Sequence, residues 1–507
     1  MLKWPKYPAI YEINTWVWLS DLREKFGASV DLASVPAEVW DGIATFGFDA
    51  VWLMGVWERS PFGVSIANRN RNLVNEFRKT LPDYVTNDNV GSPYCVRRYA
   101  VDQRLGGPKG LAIARAELAA RGIHLVLDFV PNHVAPDHAW VREHPEYFLF
   151  GTPKEADRDP MSYIRHDGRI FCCGRDPYFP VWPDVLQLNA FSPSLRKAVA
   201  ETLNDIGTQC DGVRCDMAML MLNATFEYTW GSRGGKPSVP DYWTEVIPRV
   251  KEEHPELIFI AEAYWDREWE LQRQGFDFCY DKRLYDRLLH DDASNVRLHL
   301  GADLSYQAKL LRFIENHDEA RATAVFDPAK ERVAAVTFAT LPGAKLFHEG
   351  QFEGRKTRLP VFLGRRPPEP VDQALRSFYR QLILDLPAFN NGEWNLCECT
   401  GWPDNQSYRN ILAWTWRQFE QRRLIVVNFS AAPAQARIAI RWPSLRGQTW
   451  HLVDTLSDAK YDRGGDEMFS PGLYVDLAQW GYNCFSVCPT ATVKPLRPVA
   501  NAPAVVA

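Results

Sequence analysis

The sequence lacks the surplus of basic residues that is typical of nucleic-acid-binding proteins and the long apolar runs that are typical of membrane proteins. Its 507 residues carry a net charge of −5, so we expect no surface basic enough to neutralise a phosphate backbone. No stretch approaches the roughly 20 consecutive apolar residues that cross a bilayer. We therefore predict neither nucleic acid nor a membrane as a partner.

Paired cysteines are also missing, and we expect no secretory leader. The ten cysteines are scattered, and no Cys-x-x-Cys pair indicates zinc or a redox dithiol. We expect free thiols, which suit a reducing compartment. Residues 1–8 contain no apolar stretch followed by a small-residue cleavage site, so we predict a cytoplasmic location. The sequence predicts no particular oligomeric state.

Aromatic residues, by contrast, are plentiful, at 13% of the chain. Their faces suit the C–H surfaces of sugar rings, although they also fill protein cores. A chain of this length exceeds one core of usual size, so we expect two or three domains, one of which is large enough for a barrel of about 250 residues.

Short β-rich runs alternate with longer helical stretches over the first three quarters of the chain. This alternation predicts an α/β fold with a parallel sheet built from βα units. Most of the runs are apolar on both faces, as strands covered by helices are. The eight predicted strands are Ala9–Asn14, Ala50–Met54, Ile123–Phe129, Gly212–Cys215, Leu257–Glu262, Phe276–Tyr280, Leu311–Glu315 and Ala344–His348. Helices are predicted between them, for example over Pro108–Arg121 and Pro193–Gln209.

The alternation of strands and helices is interrupted at two places, which predict the domain boundaries. Residues 134–184 are rich in His, Asp, Pro, Gly and aromatics, which indicates a small domain inserted after the third strand. After about residue 388 the pattern changes to extended segments separated by turns, which indicates an antiparallel β-sandwich. We predict a barrel over 1–133 and 185–388, the insertion over 134–184, the sandwich over 389–490 and a flexible tail over 491–507. The predicted extended segments are Ile411–Arg417, Arg423–Phe429, Ala436–Arg441, Thr449–Leu456 and Tyr474–Val487.

Ionisable residues cluster at the carboxyl ends of separate predicted strands, where the loops of a (β/α)8 barrel build its active site. The four runs concerned are Asp128–His133, Gly212–Asp216, Phe259–Glu262 and Phe313–Asp318. Side chains two apart on a strand share a face, so Arg214 and Asp216 are predicted neighbours. A guanidinium there favours an ionised Asp216, while the apolar run before Glu262 favours a carboxyl that holds a proton. Two carboxyls with opposite protonation preferences are what glycoside hydrolysis requires.

These four runs, in this order, resemble the signature regions of the α-amylase family, glycoside hydrolase family 13. The resemblance extends over roughly the first 390 residues and implies a (β/α)8 TIM barrel. It implies that Asp216 is the nucleophile, Glu262 the general acid/base and Asp318 a third carboxylate that stabilises the distorted sugar. The implied reaction is a double displacement with retention, for which the two reacting carboxyls lie about 5–5.5 Å apart.

The same resemblance implies five substrate-binding residues. His133 and His317 would hydrogen-bond sugar hydroxyls, and Tyr94 would stack on the sugar ring. Arg214 would orient the nucleophile, and Asp128 would support the site from beneath. Taken singly, each has a simpler interpretation: Asp128 as a helix cap, the histidines as core residues, Arg214 as half of a structural ion pair, and Tyr94 as part of a turn.

The sequence departs from starch-cleaving members of the family just after the nucleophile. A Lys-His pair commonly stands there and helps to hold calcium, whereas this chain has Met217–Leu220. Asn132 remains as one possible ligand, but calcium needs about six to eight oxygens. We therefore predict no metal and no other cofactor. The basic run from Arg355 to Arg366 is interpreted as a solvated loop, with a phosphorylated acceptor as the alternative.

Two functions follow from the sequence. The first is hydrolysis or transfer of α-glucosidic linkages in oligosaccharides through a covalent β-glycosyl-enzyme intermediate. The alternative is a non-catalytic carbohydrate-binding or chaperone-like protein on the same barrel. The presence of Asp216, Glu262 and Asp318 together favours the enzyme.

Overall fold

The computed structural model describes residues 2–237 and 240–490. The chain forms two compact units. One comprises the residues up to Asp291 together with Leu298–Asn390, and the other comprises Asp292–Arg297 together with the chain from Asn391. The predicted tail, residues 491–507, lies outside the described residues.

The first unit contains a closed barrel of eight parallel strands, each paired with its neighbours in chain order and the last paired with the first. The strands are β1 Ala9–Asn14, β2 Ala50–Met54, β3 His124–Phe129, β4 Gly212–Cys215, β5 Ile258–Ala261, β6 Phe278–Tyr280, β7 Leu310–Arg312 and β8 Ala344–His348. The predicted fold class is confirmed, and β1, β2, β4 and β8 have the predicted bounds. Every residue of β2, β4, β5 and β8 is buried, which explains why these strands read as continuous apolar runs.

Helices cover the outside of the barrel and follow ordinary capping rules. Ser192 accepts a hydrogen bond from the Leu195 amide and a proline occupies the first turn of the helix Pro193–Gly207, which ends two residues before its predicted end. The α-helices of the described chain are Thr15–Phe26, Ala37–Ala44, Pro61–Arg69, Arg71–Thr80, Gly107–Ala120, Trp140–Glu143, Pro153–Arg158, Pro193–Gly207, Asn223–Trp230, Tyr242–Glu253, Glu268–Arg273, Lys282–His290, Ala293–Leu300, Leu304–Gln307, Ala322–Val325, Pro328–Thr340, Gln373–Asp385 and Gly465–Glu467.

One glycine is needed where the barrel closes. Gly343, just before β8, has a φ of 95°, a conformation that other residues rarely adopt. A Cβ at this position would lie 2.4 Å from the carbonyl oxygen of Leu310 in β7. Glycine therefore permits the close approach of the chain entering β8 to the neighbouring strand.

The predicted insertion after β3 forms a small antiparallel sheet. Its strands run in the order His133–Val134, Trp182–Gln187, Arg169–Gly174 and Tyr163–His166. A second pair, Trp57–Arg59 with Val96–Val101, follows β2. The inserted sheet supplies part of the wall of the cleft described below, through His133, Trp182 and Val185.

The second unit is antiparallel throughout, as predicted. One sheet runs Glu393–Leu396, Ile411–Gln418, Gln421–Asn428, Tyr482–Pro489, Thr449–Asp454 and Lys460–Gly464, and a smaller sheet runs Cys399–Thr400, Ala434–Ile438 and Leu473–Leu477. The two sheets enclose a core that includes Leu424, Ile438 and Trp450.

One predicted segment of this unit was wrong. Tyr474–Val487 was expected to be a single extended run, but Leu473–Leu477 and Tyr482–Pro489 belong to different sheets. Between them Trp480 has a φ of 50°, and the Gly481 amide donates to the Ala478 carbonyl at 2.9 Å. A bulky residue in the left-handed region is uncommon, so composition alone did not signal the turn.

Two smaller observations bear on the sequence predictions. All ten cysteines are free thiols, as expected. Within residues 2–237 and 240–490, no helix combines the length and the apolar character needed to cross a bilayer.

Candidate active site

The three predicted catalytic carboxylates line one cleft of about 330 Å³ at the carboxyl end of the barrel. Asp216 follows directly after β4, Glu262 directly after β5, and Asp318 lies in the loop after β7. The hydrogen bonds between neighbouring strands continue past the strand ends. The amide of Asp216 donates to the carbonyl of Phe129 at 2.8 Å, and the amide of Glu262 donates to the carbonyl of Cys215 at 3.0 Å. Asp216 and Glu262 are therefore held by rigid backbone.

Arg214 bridges the first two of these carboxylates. It lies on β4 in register with Asp128 of β3. Its Nη1 donates to Oδ1 of Asp216 at 2.8 Å, and its Nη2 lies 2.8 Å from Oε2 of Glu262. The side chain is 1% exposed. The sequence predicted a partner for Asp216 alone, whereas the guanidinium contacts both carboxylates.

Aromatic rings surround this buried cation. The guanidinium carbon of Arg214 lies 5.2 Å from the ring centre of Trp52, 5.3 Å from that of Tyr94 and 5.6 Å from that of Tyr280. Faces of aromatic rings attract cations, more strongly where water is excluded. The rings therefore help to keep Arg214 charged and in one position between the carboxylates.

Glu262 has more polar surroundings than its sequence neighbours suggested. Its Oε2 accepts a hydrogen bond from the Met217 amide at 2.6 Å, and its Oε1 accepts one from the Tyr264 hydroxyl at 2.9 Å. The expectation of apolar company was wrong because the residue stands one position beyond β5. Its side chain is surrounded by the loops there and not by the apolar strand.

Met217 has an unusual backbone conformation. Its φ is 41° and its ψ is 44°, in the left-handed region that costs a residue with a side chain roughly 1–2 kcal/mol. This conformation directs the Met217 amide to Glu262. Such strain is commonly retained at functional sites because the surrounding structure over-determines it.

The pKa of Asp216 differs from the sequence expectation. Burial and repulsion by Glu262 raise the pKa of Asp216 well above its usual range, against the pull of Arg214. The sequence had predicted that the guanidinium would keep Asp216 ionised. Asp216 therefore holds a proton to higher pH than an ordinary carboxyl does, because the buried site disfavours a second negative charge beside Glu262.

The third carboxylate, Asp318, belongs to a group of charged residues that also contains His317 and Glu12. Burial opposes a charge on His317, but Asp318 and Glu12 outweigh it and raise the pKa of this imidazole well above its ordinary value. Its Nε2 lies 3.0 Å from Oδ2 of Asp318 and 2.5 Å from the Tyr94 hydroxyl, and its Nδ1 contacts Glu12. Burial also opposes ionisation of Asp318, but His317 outweighs it and lowers the pKa of Asp318 to about 2. At neutral pH the site thus holds an imidazolium beside an ionised carboxylate.

The remaining predicted residues lie around the same cleft. His133 lines it, with its ring 5.2 Å from that of Trp182, and burial lowers the pKa of His133 to about 4, so the imidazole is neutral at pH 7. Asp128 lies within β3 and its Oδ2 accepts the Gly55 amide at 3.0 Å, so it caps no helix. Its Oδ1 is 3.8 Å from Nη1 of Arg214, a position that supports the guanidinium.

Four residues of the site were missed by the sequence analysis. Glu12 had a usable signal, because it is a carboxylate in the otherwise apolar run of β1. Tyr264 gave none, since nothing in its neighbourhood marks it as a hydrogen-bond donor to Glu262. Trp182 and Asp184 line the cleft from the inserted sheet, and burial raises the pKa of Asp184 to about 6.

The residues near Asn132 do not fit a calcium ion. Its side-chain oxygen accepts a hydrogen bond from Nε2 of Gln187 at 2.8 Å, and the Met219 and Leu220 side chains that follow the predicted nucleophile are buried and apolar. In the described parts of the chain, no three His, Cys, Asp or Glu residues are grouped so as to hold a metal. The use of any metal or cofactor by the protein stays a matter of prediction.

The last two arginines of the basic run after β8 form ion pairs with carboxylates. Nε of Arg365 lies 2.7 Å from Oδ1 of Asp88, and Nε of Arg366 lies 2.9 Å from Oδ2 of Asp21. Arg366 also contacts Glu349 and is mostly buried. The interpretation of Arg366 as part of a solvated loop was therefore wrong, and these ion pairs leave little positive charge for a phosphorylated acceptor at either arginine.

Known proteins with similar sequences include an alpha-amylase and a maltosyltransferase. The family profile described as "Alpha amylase, catalytic domain" matches residues 37–276. Alpha-amylase 3 of Dictyoglomus thermophilum is 22% identical over 293 residues, which make up 53% of this chain and 54% of that protein. An alpha-1,4-glucan:maltose-1-phosphate maltosyltransferase of Rhodospirillum rubrum is 28% identical over 233 residues, which make up 44% of this chain and 27% of that protein. The matched region thus spans about half of the first relative and about a quarter of the second.

Solved structures share the fold over nearly the whole chain. The maltogenic alpha-amylase AmyB from Thermotoga neapolitana has a TM-score of 0.66 at 18% identity, covering 95% of this chain and 99% of that one. An alpha-amylase from Lactobacillus plantarum has a TM-score of 0.65 at 19% identity, covering 95% and 99%. The profile match and the shared barrel fold support the resemblance of this chain to the α-amylase family.

Proposed function

We propose that the protein is a retaining glycoside hydrolase or transglycosidase that acts on α-glucosidic linkages of oligosaccharides. The observation that carries this proposal is the convergence of Asp216, Glu262 and Asp318, from three different strand ends, on one open cleft. The ion pairs of Arg214 with two of them support an arrangement held in place before substrate arrives.

In the proposed reaction Asp216 attacks the anomeric carbon while Glu262 gives its proton to the glycosidic oxygen. The bond between that carbon and that oxygen breaks, and the leaving sugar departs with a neutral hydroxyl. Glu262, now ionised, takes a proton from water or from an acceptor hydroxyl, whose oxygen displaces Asp216 and restores the starting carboxylate. The ionised Asp318 stabilises the positive charge that develops on the sugar.

Hydrolysis and transfer share this covalent intermediate, and both occur among the relatives, which include proteins named as amylases and as maltosyltransferases. The products distinguish them. Incubation with maltooligosaccharides yields longer chains if a sugar hydroxyl is the acceptor, and only shorter chains if water is. A cytoplasmic location accompanies the proposal as a prediction.

The alternative is a carbohydrate-binding protein that has kept the barrel without its chemistry. The complete set of carboxylates in one cleft and the raised pKa of Asp216 favour the enzyme, because strongly perturbed carboxyls cluster at catalytic sites. The two hypotheses are separated by covalent trapping.

A 5-fluoro-α-glucosyl fluoride, followed by mass spectrometry, is expected to label Asp216. The Asp216→Asn variant should fold, remain unlabelled and lose at least about a thousandfold of its turnover. Asp41→Asn, which changes an exposed carboxylate outside the cleft, is the control and should be labelled as the parent is. Binding of maltooligosaccharides without label or turnover would instead support the binding protein.

A further inference from the structure

Two loop segments are joined to each other beside the cleft. Residues 88–92 belong to the connection after β2, and residues 359–365 belong to the connection after β8. The amide of Val90 donates to the carbonyl of Phe362 at 2.8 Å, and an antiparallel bridge forms next to this hydrogen bond. We call the two segments together the end wall.

Two arginines fasten the segments of the end wall to each other. Nε of Arg365 lies 2.7 Å from Oδ1 of Asp88, and its Nη2 lies 2.8 Å from Oδ2 of the same carboxylate. Nη1 of Arg59 donates to the carbonyl of Gly91 at 2.6 Å and to that of Val361 at 3.2 Å. Because Arg59 is only 3% exposed, its guanidinium holds both segments from within the protein.

Apolar side chains support the end wall on the side away from the cleft. Leu363 is completely buried and belongs to a cluster with Phe77 and Leu81. The ring of Phe362 packs against this cluster, with its centre 5.8 Å from that of the Phe77 ring. Closely packed side chains of this kind resist displacement. The end wall is therefore a fixed part of the barrel mouth.

The end wall stands across the barrel from Glu262. In the closed barrel, β2 and β8 flank β1, and β1 is four strands away from β5 in either direction. Ser92 and Phe362, one from each segment, line the same cleft as Glu262. A separate cavity lined by Leu359 and Val361 measures about 20 Å³, which is room for about one water molecule and not for a sugar ring.

We propose that the end wall closes the glycone side of the cleft, so that the protein acts on the non-reducing ends of α-glucan chains and not on their interior. This inference rests on the proposed function, because it takes Glu262 as the acid that protonates the glycosidic oxygen. C1 and O4 lie at opposite ends of a glucose ring. With C1 beside Glu262, O4 points towards the end wall, where a longer glycone would collide with packed side chains.

The test compares two p-nitrophenyl maltoheptaosides that differ only at the non-reducing end. One has a free end, and the other carries a 4,6-ethylidene group there. Chromatography of the products that bear the chromophore follows the consumption of each. For the parent, kcat/KM for the free form should be at least about tenfold higher than for the blocked form, because the added group overlaps a packed wall.

Phe362→Ala removes the ring that the end wall presents to the cleft. The ratio of kcat/KM for the free form to that for the blocked form should fall at least about threefold, because the smaller side chain leaves room for the added group. Phe419→Ala is the matched control, since this phenylalanine is 89% exposed in the second unit. Its ratio should equal that of the parent.

Similar turnover of both forms by the parent overturns the end wall and leaves the proposed function intact. An unchanged ratio in the folded Phe362→Ala variant also overturns it, and Phe362→Leu decides by the same ratio if the alanine variant does not fold. If the parent turns over neither form, the proposed function fails. Calorimetric titration with the two forms then decides: tighter binding of the free form supports the end wall, and equal or absent binding overturns it.

Discussion

Replacing Arg214 by methionine removes the cation that bridges Asp216 and Glu262 while keeping a long side chain. The parent guanidinium lies 2.8 Å from an oxygen of each carboxylate and is almost completely buried. Breaking a buried ion pair by removing one partner typically costs about 3–5 kcal/mol, because the remaining charge is left without compensation. We expect the Arg214→Met variant to lose that much of its free energy of unfolding near neutral pH.

The loss should depend on pH in a defined direction. The pKa of Asp216 is already raised in the folded protein, and Arg214 is one of the charges that lower it, so its removal raises the pKa further. A folded state that binds an extra proton loses stability as the pH rises from the unfolded pKa of about 4 towards the folded one. The destabilisation should therefore be larger at pH 8 than at pH 5.

Urea unfolding of the barrel, followed at both pH values, measures this effect. Arg365→Met is the control, because its ion pair with Asp88 is partly exposed and should be worth no more than about 1 kcal/mol. The double variant Arg214→Met/Asp216→Asn should regain part of the loss, since one buried carboxylate disappears with the cation. A loss at Arg214 no larger than that of the control, or equal at pH 5 and pH 8, would refute the electrostatic account.

Three further substitutions test the interactions of His317 and of the third carboxylate, Asp318. Glu12→Gln removes one of the charges that raise the pKa of His317, so the imidazole should titrate at lower pH in ring-nitrogen NMR; an unmoved pKa contradicts the role of Glu12. Asp318→Asn removes a charge that raises the pKa of Asp216, so the Asp216 carboxyl should titrate at lower pH in carboxyl-carbon NMR, and an unmoved pKa excludes this coupling. Tyr94→Phe deletes the hydroxyl that lies 2.5 Å from Nε2 of His317 and should lower kcat/KM roughly two- to tenfold, as stopped assays with maltohexaose would show; an unchanged value argues against a positioning role.

Much of the fold could be predicted from the sequence because the barrel strands are buried on both faces. β1, β2, β4 and β8 were predicted with their observed bounds, since a short apolar run between turn residues leaves little freedom in where a strand begins. The bounds of β7 were predicted less accurately. Its predicted run, Leu311–Glu315, extends past the observed end at Arg312, because the apolar residues that follow the strand are buried in a loop and not in the sheet.

The grouping of the three carboxylates followed from the sequence, whereas their electrostatics did not. Side chains at successive strand ends must gather at one end of a parallel barrel, so Asp216, Glu262 and Asp318 could be grouped without coordinates. The polar surroundings of Glu262 could not be foreseen, because its partners Met217 and Tyr264 are set by local loop conformation.

The sequence by itself determined the barrel, the order of its strands and the residues that face its open end, because these depend on period-two patterning and chain order. Only the tertiary structure decided that one guanidinium contacts two carboxylates and that Glu12 helps to raise the pKa of His317. Protonation and ligand contact depend on distances of a few ångströms between residues far apart in the chain, and the packed fold sets those distances.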